Sequence, residues 1–214
     1  AVRPGDARPW TVPAGAEGGA LTGQVAAPTP AAAVSTAGVE LTATSAVPGG
    51  LPPAPRVDPA WVAATAAATG VPSAAVTAYA DATLALGVEE PACRVGWTTL
   101  AGIGAIESGH GSHGRSVLGA DGRADPPIVG PALDGDGVAA IAASAESTAW
   151  HGDAVWDHAV GPMQFLPSTW RRWGADGDAD GVADPQDLDD AALAAARYLC
   201  AGGGDLGQAA GWHA

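Results

Sequence analysis

Between positions 176 and 187 the chain reads Asp-Gly-Asp-Ala-Asp-Gly-Val-Ala-Asp-Pro-Gln-Asp. Aspartate stands at the first, third, fifth, ninth and twelfth places and glycine at the sixth, where a sharp turn needs it. This is the oxygen spacing of an EF-hand-type loop, and such a loop is held between two helices, which limits what the surrounding chain can fold into. A hard cation takes six to eight oxygens. The spacing therefore predicts a structural Ca2+ held by Asp176, Asp178, Asp180 and Asp187, by the Val182 carbonyl, and by Asp184 through water. The alternative is a solvated acidic turn, since Asp and Gly also crowd ordinary loops. Aspartate in place of glutamate at the twelfth position reaches less far and favours a structural ion over a calcium switch.

A chain of 214 residues with 47% hydrophobic content can bury one sizeable core. The formal net charge of −14 argues against a nucleic-acid partner. All nine cationic residues are Arg. Binding of an anionic polymer would have to come from hydrogen bonds and stacking, and the eight Trp residues suit that. No apolar run is long enough to span a membrane. Cys93 and Cys200 lie in no metal-binding pattern, and in an exported chain they are expected to form a disulfide, which the chain-entropy model values at ~4 kcal/mol. The chain opens on Ala1 rather than Met, in keeping with a removed signal peptide and a secreted, cell-wall location.

Residues 1–57 are rich in Ala, Pro, Thr, Val and Gly and carry few large side chains. Such a stretch cannot offset its ordering entropy by burial and reads as a disordered tether, with a short strand near Val39 to Thr42 as the alternative. The folded domain is expected over 58–214. Asp58 is a good N-cap, Pro59 is pre-set for a first helical turn, and Gly70 closes that helix. Ser73 to Leu86 predicts a second helix, with Val76, Tyr79, Ala80 and Thr83 at helical spacing. Trp97 to Glu107 predicts a third, apolar enough to be buried at the domain centre. From Gly111 to Trp156 the chain is Gly- and Asp-rich and reads as a long irregular binding loop, with Asp134 and Asp136 in a turn. Helices are again expected from Pro167 and over Asp189 to Cys200. The fold class is mostly α.

Glu107, one of six glutamates, ends the apolar third helix. Burial there would raise its pKa, as a general acid working near neutral pH requires; a helix-end cap paired with Arg115 is the other reading. Asp153 and Asp157 are expected to be loop or capping residues. His110 and His113 lie close to Glu107 and read as loop residues that could touch a substrate; they lack the partners of a zinc site.

Glu107-Ser108-Gly109-His110-Gly111, then Gly161-Pro162-Met163-Gln164-Phe165 with Pro167-Ser168-Thr169-Trp170, then the acidic loop, then Ala195-Ala196-Arg197-Tyr198-Leu199, resemble in content and order the lytic murein transglycosylases of the membrane-bound B type. The similarity runs from about Trp61 to the end of the chain. It implies a lysozyme-like (goose-type lysozyme/SLT-like) helical domain acting on the glycan strands of peptidoglycan. It implies cleavage of the MurNAc-β-1,4-GlcNAc bond without water, Glu107 serving as acid and then as base to leave a 1,6-anhydro end. A hydrolytic muramidase and a non-catalytic wall-binding module are the alternatives. By position, Ser108 would be a polar contact beside Glu107. Met163, Gln164 and Phe165 would line the sugar groove, and Tyr198 would orient the sugar or Glu107, although Met163 and Phe165 also fit a core. The family pattern continues after Trp212 into a further groove-completing helix, relative to which this chain is C-terminally short. A monomer is expected.

Overall fold

The computed structural model describes residues 55–213. Most of the expected 1–57 tether, and the alternative strand at 39–42, lie outside them. At its near end, Arg56 pairs with Asp81 at 3.1 Å and the Val57 N–H donates to the same carboxylate.

Six α-helices carry the fold: α1 (Pro59–Thr69), α2 (Ser73–Glu89), α3 (Trp97–Ser108), α4 (Ala145–His151), α5 (Pro167–Trp173) and α6 (Leu188–Cys200). Their ends follow from local chemistry. The Asp58 carboxylate accepts the Ala60 N–H, Pro59 opens α1, and Gly70 closes it at φ 77°, a left-handed turn that glycine adopts without strain. Asp187 caps α6 in the same way, accepting the Asp189 N–H.

The packing is built around α2 and α6. Ala75, Val76, Ala78, Tyr79, Ala82 and Leu86 of α2 are buried, as are Leu188 and every residue of α6 from Asp190 to Ala196. Small side chains on both helices let their backbones approach closely, while Tyr79, Leu86, Leu100 and Leu188 supply the volume. A disulfide joins Cys93, just after α2, to Cys200 at the end of α6, with the Cα atoms 5.5 Å apart.

The stretch expected to be irregular is in fact partly structured. It holds β1 (Val117–Leu118) paired antiparallel with β2 (Ala124–Asp125), then β3 (Val129–Ala132), then α4. β3 pairs antiparallel with β4 (His158–Val160), with a register shift between Val129 and Ala132. The Ser144 and Ser147 side chains cap α4 reciprocally. The expected turn at Asp134 is present, its carboxylate accepting the Asp136 N–H.

α3 departs from expectation. Leu100, Ala101, Gly104 and Ser108 are buried, but Ile106 is 86% exposed and Glu107 is exposed as well. The helix lies on the surface with one face inward. Its apolar look came largely from Gly and Ala, which lose little when left in water. No described helix is long and apolar enough to cross a membrane.

Candidate active site

The C-terminal end of α3 brings Glu107 to the rim of a groove. One hollow of about 240 Å³ is lined by Ile103 and Glu107 of α3, by Met163 to Leu166, by Thr169 of α5, and by Ala195, Tyr198 and Leu199 of α6. A second, of about 470 Å³, is lined by Glu107, His113, Ile128 to Pro131 and Gln164. Both share Glu107 and Gln164, so one continuous groove passes these two side chains. Glu107 is the single carboxylate along either hollow.

Gln164 sits at the tip of a tight hairpin. Val160 and Phe165 exchange both backbone hydrogen bonds at 2.9 Å, and residues 161 to 164 turn between them. Gln164 itself has φ 49°, unusual for a residue with a side chain, and its amide Nε2 donates to the Gly161 carbonyl. Met163 and Phe165 are buried beside it yet still contribute to the groove floor, so the sequence-level choice between core and groove resolves as both. Tyr198 is 53% exposed, its ring edge-on to Trp173 with centroids 6.1 Å apart, and it lines the same hollow as Glu107.

Two expectations for this site need correction. Glu107 is exposed, so the burial invoked for a general acid is not present in the free protein. Ser108 is not a surface contact. It is 1% exposed, its hydroxyl donates to the Pro162 carbonyl at 2.6 Å and accepts the Gly111 N–H at 2.7 Å, and both bonds are internal. Ser108 thus ties the end of α3 to the Gln164 hairpin, positioning the groove's two polar side chains without touching what enters it.

Thr169, part of the Pro167-to-Trp170 motif, also lines the groove, as do residues 128 to 131; the latter fall in the stretch expected to be a binding loop, but none was named individually because the Pro127-Ile-Val-Gly-Pro131 run carries no catalytic motif. Asp153 lies outside the groove and accepts the Val155 and Trp156 N–H groups, which with His158 hold its carboxyl down at about 2. Asp157 is buried against His151 at 3.0 Å.

The acidic loop follows α5. Ala179 (φ 68°) and Gly181 (φ 92°) turn it left-handed, and the Asp176 carboxylate accepts the Ala179, Asp180 and Gly181 N–H groups. Its carboxylates do not all converge. Oxygens of Asp176, Asp178 and Asp190 lie within 4.8 Å of one another. Asp187, the expected twelfth-position ligand, instead caps α6 and lies 3.4 Å from the Arg123 guanidinium. Asp180 and Asp184 also face Arg123. Asp190, missed in the sequence, takes the place beside Asp176 and Asp178, and it accepts the Gly177 and Asp184 N–H groups.

Among the described residues no salt bridge reaches the carboxylates of Asp176, Asp178 or Asp190; Arg56 meets the loop at the Asp178 backbone carbonyl instead. Burial first, and neighbouring carboxylates after it, push Asp189 up to about 7, while burial with Asp187 and Asp178 nearby moves Asp190 to about 6. Burial likewise raises Asp187. Converging, partly desolvated carboxylates on a left-handed turn are a donor set that fits a hard divalent cation.

Residues 140–214 match the family model described as the transglycosylase SLT domain. The matched segment includes the Gln164 hairpin, the acidic loop and Tyr198, and begins after Glu107. Among solved structures, the chain is similar to SltB3 from Pseudomonas aeruginosa, crystallised in complex with NAG-anhNAM-pentapeptide. The identity is 21%, the TM-score 0.34, and the match covers 72% of this chain and 43% of that one, under half of its length. No curated protein matches the chain.

Proposed function

We propose that this chain is a peptidoglycan lytic transglycosylase in which Glu107 is the acid and then the base. The reading is carried by one observation: a groove with a single carboxylate, built partly from a segment that matches the transglycosylase SLT domain. A retaining hydrolase needs a second carboxylate about 5 Å from the first, and an inverting one needs it at roughly 6.5–9.5 Å. Among the described residues that line this groove none supplies it, whereas a reaction that uses one carboxyl twice has no need of it.

The chemistry assigned to Glu107 begins with its protonated carboxyl giving the proton to the glycosidic oxygen between MurNAc and GlcNAc, as the C1–O bond breaks. The resulting carboxylate then takes the proton from the MurNAc C6 hydroxyl as that oxygen closes on C1. The products are a free GlcNAc hydroxyl and a 1,6-anhydro end; no water is consumed and the carboxyl is regenerated. Glu107 is solvated in the free groove, so the sugar itself would displace water from it on binding. Gln164, at the junction of the hollows, offers an amide to an N-acetyl or hydroxyl group. Tyr198 offers a ring face and a hydroxyl in the same hollow as Glu107.

A structural Ca2+ belongs to the same reading, held by Asp176, Asp178 and Asp190 with further oxygen from the loop at Asp180, Val182 and Asp184. A secreted, wall-facing location agrees with the disulfide, which persists in oxidising compartments.

The test is digestion of purified peptidoglycan by the chain and by Glu107→Gln, with released fragments read by mass spectrometry. The expected result is anhydro-ended fragments, lighter by one water than hydrolytic ones, and at least a hundredfold less release by the variant. Reducing ends instead would make the chain a muramidase. Equal release by the variant, or binding without release by either, would refute the assignment.

A further inference from the structure

The turn that carries Glu107 is tied down by a residue from a different helix. Tyr79 of α2 is fully buried, and its hydroxyl lies 3.1 Å from Nδ1 of His110. The two rings are tilted against each other with centroids 5.9 Å apart. To reach His110 the hydroxyl crosses directly over Gly104 of α3. A Cβ at that position would lie 2.0 Å from the Tyr79 oxygen and 3.4 Å from the Met163 sulfur. Glycine there is the condition for this contact, because any side chain would displace a buried ring in a close-packed core.

The backbone of His110 is unusual as well. Its φ is 61°, and its N–H donates to the Gly104 carbonyl at 2.8 Å, closing α3 immediately after Glu107, Ser108 and Gly109. Left-handed backbone is strained for a residue with a side chain, so contacts around His110 must hold it there. The Tyr79 hydroxyl contacts its ring.

The surroundings fix the direction of that hydrogen bond: among the described residues the buried Tyr79 hydroxyl has no hydrogen-bond partner besides His110, so its proton is satisfied only by donation to Nδ1. Burial moves the Tyr79 phenol far above its ordinary range, so the hydroxyl keeps its proton, and burial lowers His110, so the imidazole is neutral near pH 7. A neutral imidazole has one bare nitrogen and one N–H. With Tyr79 donating to Nδ1, the proton of His110 resides on Nε2.

We propose that Tyr79 is a positioning residue: through its hydroxyl it sets the tautomer and orientation of His110 and so holds the turn that presents Glu107 to the groove. Ser108 fastens the same turn to the Gln164 hairpin, so Glu107 is held from two directions. The consequence for turnover rests on the transglycosylase reading; the tautomer does not.

The experiment uses Tyr79→Phe, which keeps the buried ring and removes only the hydroxyl. In the 15N-histidine-labelled chain at pH 7, the His110 ring is expected to show one tautomer, protonated at Nε2, and in Tyr79→Phe a mixture of both. Peptidoglycan release is expected to fall about tenfold in kcat, with KM within twofold. His110→Gln, whose side-chain oxygen can accept the Tyr79 proton, should stay near wild type, while His110→Leu should match Tyr79→Phe. A wild-type His110 protonated at Nδ1, an unchanged tautomer in Tyr79→Phe, or equal rates for His110→Gln and His110→Leu would overturn the proposal. Absence of release from the wild type would instead refute the transglycosylase reading, leaving the ring spectra to decide the tautomer independently.

Discussion

In the absence of divalent cation the stability of this protein should be a steep function of pH, and Asp189 sets the scale. Burial and the carboxylates of Asp187, Asp178 and Asp81 place it at about 7, against an ordinary 3.8. The folded chain therefore holds this proton more tightly than the unfolded chain does. Below the ordinary carboxylate range both states are protonated and nothing is lost. As pH rises towards 7 the unfolded chain ionises freely while the folded one is forced to charge a crowded, desolvated site, and stability falls. At 1.36 kcal/mol per pKa unit, Asp189 alone accounts for a total loss of about 4 kcal/mol by pH 8, of which about 2.6 kcal/mol falls between pH 5 and pH 8. For a domain of this size that interval is worth ~5–10 °C in Tm. Thermal unfolding in EDTA should thus give a markedly higher Tm at pH 5 than at pH 8, and Asp189→Asn should flatten the profile. Added Ca2+ should restore most of the loss at pH 8, because an ion bound only by the folded state stabilises it and offsets the carboxylate repulsion. A flat Tm between pH 5 and 8 in EDTA would refute the crowding argument. A steep profile that Ca2+ leaves unchanged would refute the cation.

Two further perturbations probe the scaffold around the groove. Replacing both Cys93 and Cys200 by Ala opens a cross-link between residues separated by 107 positions and should lower stability by ~4–5 kcal/mol in denaturant melts; superimposable curves would show that the bond carries no such weight. Gly161→Ala should cost about 3 kcal/mol or more in the same assay. Its φ is 78° and the new Cβ would lie 1.7 Å from the Pro185 carbonyl oxygen, so a variant as stable as the wild type would contradict the hairpin's placement.

The helices were legible because their signals are local. Asp58-Pro59, Gly70 and Pro167 state where a helix can begin or end whatever surrounds them, and α1 and α5 begin where those residues put them. β1 to β4 were not legible. At two to four residues they are too short to show alternation, and their pairing is set by distant groups such as Gln186, whose side chain takes both backbone groups of Ile128. α4 was missed because its capping partner is Ser147 rather than the usual Glu or Gln.

Within the site, the residues named by motif mostly came together, while their roles depended on facts that spacing does not carry. Glu107, Met163, Gln164, Phe165 and Tyr198 line one groove. Ser108 belongs to the same motif but faces inward, since helical spacing places it on the buried side of α3 with Leu100, Ala101 and Gly104. Asp190 was overlooked because the twelve-residue template ends at Asp187. An aspartate at that point is short enough to cap the next helix, and the carboxylate that lies with Asp176 and Asp178 comes from the first turn of α6.

The acidic loop and the groove share structural members, so an ion held by the loop, as proposed, would be coupled to the groove more closely than their separation in sequence suggests. Gln186, within the acidic loop between Asp184 and Asp187, holds Ile128, which lines the groove, at 2.8 and 2.9 Å. Pro185 packs its carbonyl against Gly161, the first residue of the turn that carries Gln164. The Leu188 N–H donates to the Gly122 carbonyl, and Arg123 reaches Asp180, Asp184 and Asp187, so the β1–β2 hairpin is fastened to the loop as well. A loop loosened by carboxylate repulsion would release both segments that line the groove beside Glu107. Groove geometry should therefore fail before the helical core does, because α2 and α6 remain joined by packing and by the Cys93–Cys200 bond while the loop's own hydrogen bonds are mostly exposed.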